Sequence, residues 1–317
     1  MSKTPGWSLL LIVFTLSAVY TSGQGTAPAP PVELVVLGTL QDGGAPHMGC
    51  RKSCCAPLYE NPDPNLMVVS LGLLDIPQRK AYLFEATPDL PEQIHLLQKA
   101  APFEVPSAPD GIFLTHAHIG HYTGLMFLGK EAMNAAGVPV YTLPRMKAFL
   151  ETNGPWEQLV RLGNIALAET GENAPVKLST HLSVVPFRVP HRDEYSETAG
   201  YRIIGPSRTA LFIPDIDKWD RWEASLAKIL EEVDLAFLDA TFYDAAEIGY
   251  RDIREIPHPF VVESMALLEK LPEALRKKVH FIHLNHTNPL VDPGSEASKQ
   301  VEKAGFRIAR PGDRFKL

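Results

Sequence analysis

Short apolar runs separated by amphipathic stretches dominate the chain from residue 32 onward. The β-branched and leucine-rich runs Val32 to Leu37, Leu66 to Leu71, Ala81 to Phe84 and Ile112 to Leu114 predict strands. So do Leu182 to Val189, Tyr201 to Ile204, Thr209 to Ile213, Leu235 to Leu238 and Val279 to Leu284. Helical spacing of apolar residues predicts helices over Pro91 to Ala100, Tyr122 to Ala136, Pro144 to Leu150, Trp219 to Glu232, His258 to Glu269 and Ser295 to Ala304. Strand clusters with interspersed helices indicate an α/β or α+β sandwich, with sites just past strand ends.

The N-terminus reads differently. Lys3 precedes an apolar run from Trp7 to Tyr20, and small residues follow at Thr21, Ser22 and Gly23. That run is short for a membrane span, which needs about 20 residues, and suits a secretory signal. We expect residues 1–23 to be a signal peptide, 24–31 a Pro/Ala linker and 32–317 a single domain. The mature protein is then expected to be secreted or periplasmic, with no stable membrane insertion after cleavage; an uncleaved membrane anchor is the alternative reading of the segment.

Composition narrows the function classes. The 317 residues are 45% hydrophobic and 21% charged, with a formal net charge of -7, which excludes wholesale disorder and argues against a nucleic-acid partner. A small-molecule substrate is the expected partner. Three cysteines, all within Cys50-Arg51-Lys52-Ser53-Cys54-Cys55, are too few for a disulfide scaffold. They suit either a structural metal, with a fourth ligand from His47 or a remote histidine, or one disulfide and a spare thiol.

The chemistry is concentrated in Thr115-His116-Ala117-His118-Ile119-Gly120-His121, directly after an apolar strand. Residues i and i+2 of an extended segment point the same way, and a turn into a helix brings in the third ring. Neutral imidazoles in this density suit zinc or iron. Thr-His-x-His-x-x-His resembles the metal motif of metallo-β-lactamase-fold hydrolases. His191, Asp215 and His283 follow in the order that resemblance implies, each after an apolar strand. The implied fold is a four-layer αββα sandwich over residues 32–317.

Leu37 to Cys50, with Gly43-Gly44, resembles the opening of one branch, which holds tRNase Z, a cyclic phosphodiesterase and the pyrroloquinoline-quinone biosynthesis protein B. Phe237-Leu238-Asp239-Ala240-Thr241-Phe242 and His258 resemble further parts of that branch, and His283 to Pro289 is most similar to the quinone-biosynthesis protein. The branch places a carboxylate immediately before His121, where this chain has Gly120. The resemblance thus implies one strong zinc site at His116, His118, His191 and Asp215. It leaves the second, at His121, Asp215 and His283, one ligand short and weak or empty; iron or manganese are the alternative metals.

The expected activity is hydrolysis of a phosphodiester, ester or lactone by a metal-bound hydroxide. Asp215, Asp239 and His258 are the expected catalytic groups, with Asp239 orienting the His258 ring. His286 and Tyr195 are candidate substrate contacts. Two alternatives stand beside it: a quinone-biosynthesis-type oxidoreductase or accessory factor, and a non-catalytic ligand-binding protein of the same fold.

Overall fold

The computed structural model describes residues 1–2, 31–249 and 252–317. Nearly all of the segment read as a signal peptide and nearly all of the linker lie outside these residues. Among the described residues no helix is long and apolar enough to cross a membrane.

Two seven-stranded sheets form the centre. The first uses β1 (Val32–Gly38), β2 (Ser70–Asp75), β3 (Lys80–Phe84), β4 (Gly111–Phe113), β5 (Val138–Thr142) and β6 (Ile165–Glu169). The second uses β7 (Val176–Lys177), β8 (Ser183–Val189), β9 (Thr198–Ile204), β10 (Thr209–Ile213), β11 (Leu235–Asp239), β12 (Val279–Ile282) and β13 (Arg307–Ile308). The last strand, β14 (Arg314–Lys316), returns to the first sheet, giving the orders β14-β1-β2-β3-β4-β5-β6 and β13-β12-β11-β10-β9-β8-β7. Strands β3 to β6 pair in parallel, as do β10 to β13.

Three apolar cores explain the layering. Between the sheets lie Leu34, Leu71, Phe84, Phe113, Tyr201, Phe212 and Phe237. Outside the first sheet, Leu37, Leu83, Ile112 and Val140 pack with the helices α1 (Leu90–Ala100), α2 (Ile119–Tyr122), α3 (Pro144–Thr152) and α4 (Trp156–Arg161). Outside the second, Leu211, Ala236 and Phe281 meet α5 (Leu226–Glu232), α7 (Val261–Leu268) and α9 (Glu296–Lys303), while α6 (Ala245–Ile248) and α8 (Glu273–Arg276) are single turns. Helices on both outer faces of two stacked sheets make the expected αββα sandwich.

Several expectations are corrected. The run Leu66 to Leu71 enters β2 only at Ser70; two residues earlier, side chains at the start of α1 take the backbone hydrogen bonds, with Val68 N–H donating to Asp89 Oδ2 at 2.7 Å and Val68 O accepting from Gln93 Nε2 at 2.6 Å. The helix read over Tyr122 to Ala136 is one α turn followed by a 3-10 segment, Thr123–Leu128. Gly124, tied to Ala86 O at 2.8 Å, holds that segment against the loop after β3. The helix read from Trp219 starts only after Ser225, whose side chain caps Lys228 N–H. The helix read from His258 begins at Val261, after Phe260, whose extended backbone is its N-cap. Strands β5, β6, β7, β13 and β14 went unread: β5 contains Pro139, and the last three have two or three residues.

One buried histidine of the core gives a pH prediction. His280 of β12 lies against Phe237 and Phe315, with ring centroids 5.3 and 4.9 Å away. Burial pushes its pKa down to about 4. The unfolded chain, with an ordinary value near 6.5, therefore binds the extra proton first. His280 contributes stability that is present above about pH 6.5 and lost as pH falls toward about 4. Chemical denaturation of wild type and His280→Gln at pH 7 and pH 5 should show a smaller pH dependence in the variant. Equal slopes would mean that His280 is not the titrating group.

Candidate metal centre

The histidines and carboxylates picked from sequence for the centre sit at or just past the carboxyl ends of strands. His116 to His121 follow β4, His191 follows β8, Asp215 follows β10, Asp239 ends β11 and His283 follows β12. The ends meet because Leu40, after β1, bridges to both Val68 and Leu284, which joins the two sheets at this edge.

Asp215 is the hub, and it is buried. Its Oδ2 lies 3.1 Å from His191 Nε2, 3.3 Å from His116 Nε2, and 3.8 Å from both His118 Nδ1 and His121 Nε2. His116 Nε2 and His118 Nδ1 are themselves 2.7 Å apart. Donor atoms of His116, His118, His191 and Asp215 all lie within 4.8 Å of one another. Asp215 Oδ1 and both ring nitrogens of His191 are buried and make no well-aligned hydrogen bond, although Oδ1 lies 3.1 Å from His258 Nδ1 and His191 Nε2 3.1 Å from Asp215 Oδ2. Buried polar atoms normally find partners, so converging orphans of this donor type fit a cation.

The second ligand group holds a carboxylate that the motif does not point to. Asp42, in the glycine-rich loop, has a carboxylate oxygen that lies with donor atoms of His121, Asp215 and His283, all within 4.8 Å of one another. Sequence reading missed Asp42 because its partners lie 78 and more residues away.

Neighbouring side chains fix the rings from behind. Thr115 Oγ1 is 2.8 Å from His116 Nδ1, and Thr241 Oγ1 is 2.8 Å from His283 Nδ1. Glu85 Oε1 lies 3.3 Å from His121 Nδ1. Such outer partners orient metal-ligating imidazoles. Glu85 and His283 both hold positive φ, 78° and 65°, an unfavourable conformation for residues with a Cβ. Glu85 and Thr241 were also missed as site residues.

His258 and Asp239 form the expected pair, Nδ1 to Oδ2 at 3.0 Å, and Asp215 Oδ1 is 3.1 Å from the same nitrogen. Burial opposes charge on His258, but Asp215 and Asp239 outweigh it and push the pKa up to about 10. His283 is raised in the same way, to about 9: burial opposes its charge, and Asp215, Asp239 and Asp42 favour it. These carboxylates hold positive charge as protons or as a cation, so metal uptake at neutral pH should release protons. The side chains of His118 and His258 are 15% and 14% exposed and that of Asp42 22%, while those of His121, His191 and His283 are fully buried. Solvent and substrate therefore reach the centre from the His118, His258 and Asp42 side.

The cysteines gather apart from the histidine hub. Cys50 Sγ and Cys54 Sγ are 3.9 Å apart, and Cys54 Sγ and Cys55 Sγ 3.8 Å. All three are free thiols, which corrects the disulfide alternative. The remote histidine is His286, whose ring nitrogen completes a four-donor group with them. Its ring stacks on His47 with centroids 4.3 Å apart. Tyr195 is 64% exposed and packs against Phe149. Its neighbour Glu194 has Oε2 3.5 Å from His118 Nε2.

Fold and ligand groups define a metallo-β-lactamase-type sandwich with a histidine–carboxylate centre. The chain belongs to the beta-lactamase superfamily, whose domain pattern matches residues 80–284. Among characterised relatives it is similar to coenzyme PQQ synthesis protein B of Methylococcus capsulatus, at 25% identity over 304 residues, covering 87% of this chain and 97% of that one. The Rhizobium meliloti protein of the same name is 24% identical over 309 residues, covering 90% and 98%. Among solved structures, zinc-bound PqqB from Methylobacterium extorquens superposes with a TM-score of 0.74 at 20% identity, covering 90% of this chain and all of that one. A diphosphatase of the PhnP family superposes with a TM-score of 0.62 at 21% identity, covering 90% and 97%.

Proposed function

We propose that this protein is a metal-dependent hydrolase of a phosphodiester, ester or lactone. The observation that carries this reading is the convergence of His116, His118, His191 and Asp215 on one space beside a solvent-reaching edge. A divalent cation there, zinc first and iron or manganese as alternatives, would supply Lewis acidity, polarising a substrate oxygen and acidifying water. Asp215 would hold the cation together with His116, His118 and His191. Asp239 fixes the His258 ring, so that Nε2 remains its nitrogen for a leaving group. His258, held by Asp239, is placed to donate a proton as the bond to that group breaks. Glu85, Thr115 and Thr241 hold the surrounding rings in place.

The test is hydrolysis of a p-nitrophenyl phosphodiester, a p-nitrophenyl ester and a simple lactone by the zinc-loaded chain, beside His118→Ala. We expect turnover of at least one substrate class, with a loss of about 100-fold or more in the variant. Turnover unchanged by His118→Ala would sink the reading. A second reading, an accessory or redox factor of quinone-cofactor assembly, is favoured by the near full-length similarity to PQQ synthesis protein B. It predicts iron in the protein as purified and no turnover of any ester class.

A further inference from the structure

We propose that Asp42 is itself a metal ligand, delivered by the glycine-rich loop to the second ligand group in place of a side chain at position 120. The proposal rests on the metal-centre reading above and adds a second cation and a named ligand to it. Asp42 Oδ1 lies 3.2 Å from His121 Nε2 and 3.4 Å from His283 Nε2. On the far side, His283 Nδ1 is hydrogen-bonded to Thr241 Oγ1, and His121 Nδ1 faces Glu85 Oε1 at 3.3 Å. Their Nε2 atoms are therefore aimed into the space that Asp42 and Asp215 close.

The loop is built to hold Asp42 there. Gln41 N–H donates to Leu284 O at 2.9 Å, and Leu284 N–H donates to Thr39 O at 2.7 Å. These two bonds fix the backbone on one side of Asp42 against the residue after His283. Gly120 N–H donates to Asp42 Oδ2 at 3.2 Å, which turns Oδ1 toward the histidines. One oxygen anchors the carboxylate and the other faces the donors.

The exchange with position 120 is steric. A Cβ on Gly120 would lie 2.5 Å from Asp42 Cα, 2.6 Å from its Cβ and 2.7 Å from its Cγ. A side chain at 120 and the carboxylate of Asp42 compete for one volume. The absence of the first is what admits the second. Two imidazoles and two carboxylates, one of them the shared Asp215, suit zinc, manganese or ferrous iron. The shared carboxylate couples this group to the first.

The experiment is metal content per chain after loading with Zn(II) and exhaustive dialysis, on the full chain and on Asp42→Ala, Asp42→Asn and His118→Ala. Melting of the metal-free proteins reports folding. Partners outside the ligand shell are worth about 10–100-fold in metal affinity, so removal of a ligand should exceed about 100-fold. We expect Asp42→Ala to lose one zinc relative to wild type while keeping the zinc that His118→Ala loses. Asp42→Asn, which keeps shape and fold, should bind that same zinc far more weakly in a Zn(II) titration. Wild-type zinc content and affinity in both Asp42 variants would overturn the proposal. If His118→Ala loses zinc and the Asp42 variants do not, only the role of Asp42 fails. If no variant changes zinc content, the metal-centre reading fails with it.

Discussion

Asp215→Asn is expected to empty both ligand groups at once, where loss of any single histidine affects one. Asp215 Oδ2 is within 3.8 Å of ring nitrogens from His116, His118, His121 and His191, and Oδ1 is 3.1 Å from His258 Nδ1. The amide keeps the shape and removes the one negative charge common to the two groups. Burial works against that charge, yet His191, His258 and the other rings hold the Asp215 carboxyl well below the usual carboxylate range. Metal affinity should fall by more than about 100-fold at each group, because a ligand is worth more than the partners behind it. Activity should fall with it. The metal-free variant should also melt lower than metal-free wild type, since breaking a buried charge pair costs about 3–5 kcal/mol. Metal analysis and melting of the two proteins check this. A variant retaining wild-type metal would show that Asp215 is not the hub.

The ligands on strand ends were legible because each is written next to an apolar run. Ile112-Phe113-Leu114 leads into His116, Leu211-Phe212-Ile213 into Asp215, and Val279 to Ile282 into His283. A strand buried on both faces carries a continuous apolar signal, and the residue after it lands at the sheet's edge. Asp42 had no such signature. Its partnership with Gly120 spans 78 residues and exists only because the two loops cross. The available clue was a lone acidic residue beside Gly43-Gly44, in a loop that looked like a tight turn. Glu85 was hidden for a related reason: it directly follows the apolar Ala81 to Phe84, and its left-handed backbone is what turns the carboxylate toward His121. For the fold, the sandwich was readable from the long strands. The short edge strands β7, β13 and β14 were not, because two or three residues carry no period.

Gly120→Asp is the substitution for which sequence and structure predict opposite results. By motif alone, an aspartate before His121 restores a missing ligand and should strengthen metal binding. By structure, its Cβ would meet Asp42 Cα at 2.5 Å, a backbone-borne atom that no rotamer change can move aside. The loop from Thr39 to Asp42 is bonded to Leu284, the residue after His283, so displacing it disturbs that ligand too. A second carboxylate also repels the one already there. We therefore expect Gly120→Asp to lose zinc from the second group and to lower stability by about 1–3 kcal/mol, the usual cost of overpacking. Gly120→Ala should show the steric part of the loss without the added charge. Zinc content and metal-free melting of both variants separate the two contributions. Higher zinc content in Gly120→Asp than in wild type would mean that the loop yields easily and that Asp42 is an exchangeable neighbour of the centre, not its ligand.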